Sequence, residues 1–235
     1  MLYKLFRQSV SSLSPTPLPY AGHVLKPLGP SIWCAERELE LNSLLSLPLR
    51  MVVVANDRAE LLLYSPTLLD SATRAALNTL GTVRWIVTPN PIHGYFVDSY
   101  LATYPDAVHV GPSNAPIDNW EPWLDAILVQ TRDDYGEICA YHRASRTLIL
   151  SDLAFNIHSA SQATRWLLRF NDAWQRFGPT RLQRATVLKN DCALREFCRW
   201  ADARDFDQIS VSHGTIVSED VQQVFQHAFR RWLPT

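Results

Sequence analysis

The chain has no apolar run of about 18 residues or more, so its sequence offers no helix that would cross a bilayer. Its four cysteines (Cys34, Cys139, Cys192 and Cys198) include no Cys-x-x-Cys pair. That argues against a thiolate zinc knuckle and a disulfide framework, and predicts a reduced, cytoplasmic protein. No Gly-x-Ser-x-Gly elbow is present to expose a nucleophilic serine. No charge excess exists either: 22 basic against 23 acidic residues leave a net charge of −1, so no overall field draws nucleic acid or an anionic membrane. Internal repeats and low-complexity tracts are also missing. The first thirty residues lack any acid, carrying Lys4, Arg7 and Lys26 among serines and prolines from Ser9 to Pro19. An extended arm over residues 1–30 is expected there rather than a targeting peptide, because the amphipathic stretch is short.

What is present suffices for a real core: 47% of the 235 residues are hydrophobic. Short strands are expected at Ile32–Ala35, Arg50–Ala55 and Leu61–Tyr64, the last two joined through a turn at Asn56-Asp57-Arg58. A helix opening at Asp70 or Ser71 runs to Leu80 and stops at Gly81. The strand Val83–Thr88 follows, then a helix through Phe96, Tyr100, Leu101 and Tyr104, and a short strand from Val108 to Gly111. Beyond the loop Pro112–Trp123, strands are expected at Ala126–Gln130, Glu137–His142 and Thr147–Leu150. The rear of the chain is helical. Ala163, Trp166, Leu167, Phe170, Ala173, Trp174 and Phe177 share a 3.6-residue period, which predicts one amphipathic helix over Ser161–Phe177 with these residues inward. Further helices are expected over Asp191–Ala203 and over Ser218–Trp232, the latter capped by Ser218. Strands, helices among strands, and a helical rear half predict an α/β fold over residues 31–235: two sheets covered by helices, a four-layer αβ/βα sandwich.

Three expected strands end on a metal-ligand residue. Val83–Thr88 leads through Pro89-Asn90-Pro91-Ile92 to His93, Thr147–Leu150 is followed by Ser151-Asp152, and Gln208–Ser212 is followed by His213-Gly214. In open α/β sheets ligands collect where strands deliver side chains at their carboxyl ends. Two imidazoles and a carboxylate there fit one metal with an open coordination position. Ser151, Asp152 and His213 also contain the residue types of a serine triad, but without the elbow that would present the serine.

The elements that carry these residues resemble the metallo-β-lactamase fold. Thr147-Leu148-Ile149-Leu150-Ser151-Asp152 is similar to that fold's "vLfxGD" segment, whose aspartate bridges metals. Ile209-Ser210-Val211-Ser212-His213-Gly214 is similar to the late strand bearing its last histidine. Arg84-Trp85-Ile86-Val87-Thr88-Pro89-Asn90-Pro91-Ile92-His93 stands where the family has T-H-x-H-x-D-H. The likeness is nearest to an uncharacterised branch of the superfamily and spans about Ile32 to Gly214. By this resemblance Pro89 and Pro91 replace two metal-binding histidines, His93 takes an aspartate position, Gly94 replaces a further histidine, and Tyr64 replaces an early aspartate. No histidine falls near Asp133–Glu137, leaving Asp133, Asp134 and Glu137 as acids there. The resemblance thus implies a degenerate two-metal site, with His93, Asp152 and His213 preserving part of the second position.

Two readings follow. In the first, His93, Asp152 and His213 bind one divalent metal, zinc or iron, with Asp133 or Glu137 adding a carboxylate. The protein then hydrolyses an ester, thioester, lactone or phosphoester, with Asp152 at the reacting centre and the Asn90 amide facing a developing oxyanion. In the second, the chain is a non-catalytic binding protein of the same fold with no functional metal centre. The partner is a small-molecule substrate in the first reading and a small molecule or a protein held in the same cleft in the second. Nucleic acid is not favoured, because Arg165, Arg169 and Arg176 are interleaved with acids such as Asp172.

Overall fold

The computed structural model describes residues 24–40, 44–115, 120, 122–132 and 134–232. Most of the arm expected over 1–30 therefore lies outside the described residues. Its last part forms an edge strand, β1 (Lys26–Gly29), antiparallel to β2 (Ile32–Glu40). β3 (Ser46–Ala55), β4 (Glu60–Tyr64), β5 (Thr82–Val87) and β6 (Val108–Val110) complete a six-stranded sheet in sequential order, with the last two pairings parallel. The turn between β3 and β4 is built on Asn56, whose Oδ1 accepts the amides of Arg58 and Glu60 as its side chain mimics a backbone turn.

A four-stranded sheet holds β7 (Leu124–Arg132), β8 (Tyr135–His142), β9 (Thr147–Leu150) and β10 (Gln208–Val211), in the order β10-β9-β8-β7. β9 and β10 run parallel, so both deliver their carboxyl ends to one rim.

Strand alternation decides the layers, because successive side chains leave a strand on opposite faces. Val52, Val54, Leu62 and Tyr64 of the first sheet meet Ile138, Ala140 and Ile149 of the second, forming the core between the sheets. Their neighbours Met51, Val53, Leu61 and Leu63 face the other way, onto α1 (Ser71–Leu80) and α2 (Val97–Thr103) through Leu77, Val97 and Tyr100. Cys139, Tyr141, Leu148 and Leu150 face α5 (Asp191–Asp202) and α6 (Val221–Phe229), where Leu194, Phe197, Phe225 and Phe229 are buried. The result is the expected four-layer sandwich.

The rear helices differ from the sequence pattern. Instead of one helix over Ser161–Phe177, α3 (Gln162–Phe170) stops at Asn171, and Asp172 turns left-handed with φ 57°. The carboxylate of Asp172 receives both Arg176 and Arg184, at 2.9 and 2.6 Å, which fixes the reversal. The inward face of α3 holds Thr164 and Leu168, while Trp166, Leu167 and Phe170 are exposed. A short helix unseen in the sequence, α4 (Arg181–Thr186), begins at a capping box in which Thr180 and Gln183 satisfy each other's backbone amides. The last helix begins at Val221, with Asp220 rather than Ser218 at the cap position. Trp120 and Trp123, in the loop before β7, join the core between the sheets. His142, at the end of β8, is 1% exposed.

Candidate metal centre

Each of the three strand ends is fixed by contacts that cross between elements. After β5, the Pro89 carbonyl accepts the Ile138 amide at 2.8 Å, tying the first sheet to β8. Asn90 then makes a local turn: its Oδ1 accepts the amides of Ile92 at 2.9 Å and His93 at 3.3 Å. Prolines on either side contribute no competing N–H, so the turn is set by Asn90 and lifts His93 toward the rim.

After β9, the amides of Ser151, Asp152 and Leu153 all donate to the buried carboxylate of Glu137 on β8, at 2.9–3.2 Å. After β10, the Ser212 carbonyl accepts the Arg50 amide at 2.8 Å, and the Arg50 guanidinium donates to Val211 at 2.6 Å while pairing with Glu36. Gly214 follows with φ +112°, and a Cβ there would lie 2.0 Å from the Asn156 carbonyl oxygen. Only glycine accepts both conditions.

These supports bring His93, Asp152 and His213 together. The Nε2 atoms of His93 and His213 lie 3.2 and 3.1 Å from the same oxygen of Asp152, Oδ1. One donor atom from each residue lies within 4.8 Å of the others, and the three side chains form the single such group among the described residues. The outer nitrogens are anchored as ligand histidines need to be. His213 donates its Nδ1 proton to the Pro48 carbonyl at 2.9 Å, which turns Nε2 inward. Ser65 Oγ stands 2.8 Å from Nδ1 of His93 and comes from a left-handed residue, φ 59°, at the end of β4. Phe155 covers the His213 ring at a centroid distance of 4.5 Å.

Burial would raise the pKa of Asp152, but the two imidazoles hold it well below the usual carboxylate range. Burial and the neighbouring Asp152 push Glu137 up, opposed by the backbone amides and the Asn90 side chain. A buried anion facing inward imidazole nitrogens needs positive charge between them, from protons or from a cation. As a donor set, two imidazoles and one carboxylate fit zinc or ferrous iron with a position left for water.

Other expected site residues sit elsewhere. Asn90 is fully buried and spends its amide on Asp152 Oδ2 at 3.0 Å and Glu137 at 3.3 Å. Its side chain therefore does not line the cleft as an oxyanion donor would. Glu137, expected as an extra ligand, turns its oxygens to the β9 loop and is outside the convergent group. Asp133 lies outside the described residues. Ser151 Oγ is buried with no partner, so the serine reading finds no support. Sequence reasoning missed Ser65, Pro48, Arg50 and Gln183, whose side chain donates to the Asp152 carbonyl. Arg50 alone left a signal, as a charge inside an otherwise apolar strand.

The three side chains lie at a cleft of about 400 Å³. Tyr64, Pro89 and Pro91 do not line it, and Tyr64 instead donates to the Ile138 carbonyl at 2.7 Å within the core.

No family model and no curated protein matches the sequence. Solved structures do match. A fragment (residues 1–254) of a putative diflavin flavoprotein from Nostoc sp. PCC 7120 superimposes with a TM-score of 0.61 at 11% identity, covering 93% of this chain and 96% of that one. TMB-1 gives 0.61 at 8% identity, over 90% and 99% of the chains. An NDM_FIM-1-like metallo-β-lactamase from Erythrobacter litoralis, solved in a mono-zinc form, gives 0.57 at 15% identity, over 92% and 97%. The chain has the metallo-β-lactamase fold, and among its described residues His93, Asp152 and His213 bring together the donor atoms to hold a metal ion.

Proposed function

We propose that this metallo-β-lactamase-fold chain is a single-metal hydrolase of a carboxylic ester, thioester or lactone. The observation that carries the reading is the convergence of both Nε2 atoms and Asp152 Oδ1 in an open cleft. A divalent ion held there supplies Lewis acidity and lowers the pKa of bound water to about 7. The chain's own residues fix the geometry. Pro48 and Ser65 orient the two rings, and Asn90 and Tyr135 occupy Asp152 Oδ2, which leaves Oδ1 for the centre. In the reaction, water adds its oxygen to the acyl carbon, the bond from that carbon to the leaving oxygen or sulfur breaks, and the leaving atom takes a proton. Apolar walls keep bulk water from the polar floor and strengthen its electrostatics.

Phosphoesters are not favoured, because no lysine or arginine lines the cleft among the described residues, and phosphate recognition relies on such cations. Zinc-loaded protein should hydrolyse members of an ester, thioester and lactone panel. Asp152→Asn and His213→Ala should each lower kcat/KM by about 100-fold or more. Unchanged turnover in both variants would refute the reading. A non-catalytic binding protein is the second reading, favoured by the apolar depth of the cleft. Saturable small-molecule binding without turnover in metal-loaded protein would select it.

A further inference from the structure

The walls above the His-Asp-His floor are almost wholly hydrocarbon. Leu49 from β3, Phe96 ahead of α2, Phe155 beyond β9, Leu168 of α3 and Val187 after α4 enclose the cleft. Polar side chains are the minority of the exposed lining: Ser65, Thr67 and Tyr135 join His93, Asp152 and His213, and Tyr95, Asn171, Thr180, Gln183 and Thr186 complete the set. The only charge-bearing acid at the lining is Asp152 itself, and no lysine or arginine joins it among the described residues. The apolar path also continues outward, since Leu167 and Leu182, both about half exposed, stand at the mouth.

A small polar substrate would leave these walls facing water, and an anionic group lying along them would meet no lysine or arginine among the described residues. A neutral substrate with a long hydrocarbon chain fits both facts: its carbonyl reaches the floor and its chain lies along the leucine and phenylalanine walls. We infer that the cleft selects an acyl group with an extended hydrocarbon tail, in a neutral ester, thioester or lactone. This deepens the hydrolase reading and rests on it for the acyl group at the floor. The cavity volume of about 400 Å³ lies within the usual range for sites that enclose most of a small ligand. The half-buried Thr186 of α4 stands at the side of the cleft, so a larger residue there shortens the space available to a chain.

The test is calorimetric titration of the full chain with straight-chain methyl ketones of increasing length, which are neutral, carry a carbonyl and cannot be hydrolysed. Titrations are made on chelator-treated and on zinc-loaded protein. Affinity should rise about fourfold per added methylene until the cleft is filled, then level off. Thr186→Trp, checked for an unchanged melting temperature, should level off at a shorter chain. Leu182→Trp is the second variant should the first fail to fold, with the same expectation.

No dependence on chain length would overturn the inference, as would the same limiting length in the tryptophan variants. Tighter binding of an alkyl phosphate than of the ketone of equal length would also overturn it. Zinc uptake without a chain-length series sinks this inference and leaves the hydrolase reading standing. A chain-length series without zinc uptake or turnover does the reverse for the hydrolase, while supporting the acyl cleft.

Discussion

The Glu137 carboxylate accepts the backbone amide of Asp152 at 2.9 Å, so an acid in the middle of β8 fixes the height at which the key aspartate leaves β9. The same carboxylate receives the amides of Ser151 and Leu153 and the side chain of Asn90. Removing it leaves several buried donors without a partner. Glu137→Ala should therefore lower unfolding free energy by about 3 kcal/mol or more. Denaturant titration checks this, and a change below about 1 kcal/mol would show that the loop does not depend on Glu137.

Gly214 holds the chain just past His213 at φ +112°, pressed on the Asn156 carbonyl. A methyl group there meets strain and a backbone clash together. Gly214→Ala should cost about 2 kcal/mol or more in stability and should also reduce metal affinity, because His213 shifts with its neighbour. Unaltered stability together with unaltered metal affinity would contradict the geometry.

Burial pushes His142 down to about 4 from an ordinary value of 6.5. The unfolded chain takes up the proton first, so this group's contribution is fully present above the unfolded pKa and is lost as pH falls toward the folded one. Between about pH 7.5 and 5 the wild type should lose about 1 to 2 kcal/mol more stability than His142→Asn. Parallel denaturant titrations at the two pH values measure the difference. Equal losses would place His142 in contact with solvent.

Trp166 and Phe170 are 68% and 75% exposed on α3. Replacing both with serine should change stability by no more than about 0.5 kcal/mol per site. A loss of several kcal/mol would instead restore the inward face that the sequence pattern suggested.

That pattern shows where the sequence could be read and where it could not. In β3 and β4, alternating residues serve two different cores, so apolar runs such as Met51–Val54 read as strands and are buried on both faces. His93, Asp152 and His213 were legible because each lies in the loop that leaves the carboxyl end of a strand, and parallel β9 and β10 share a rim. The supports of the site were not, because Pro48, Ser65 and Gln183 act from distant segments through single hydrogen bonds. The apolar period over Ser161–Phe177 misled for a different reason. Periodicity marks a face but not its partner, and here the arginine pairs at Asp172 end the helix while Leu168 and Thr164 turn inward.

The convergence of His93, Asp152 and His213 is most directly tested by metal analysis of the purified full chain after zinc or iron loading and desalting. The account predicts about one equivalent of metal per chain, falling to a small fraction in His93→Ala and in His213→Ala. Metal content far below one equivalent in the wild type, or equal content in the wild type and both variants, would contradict it.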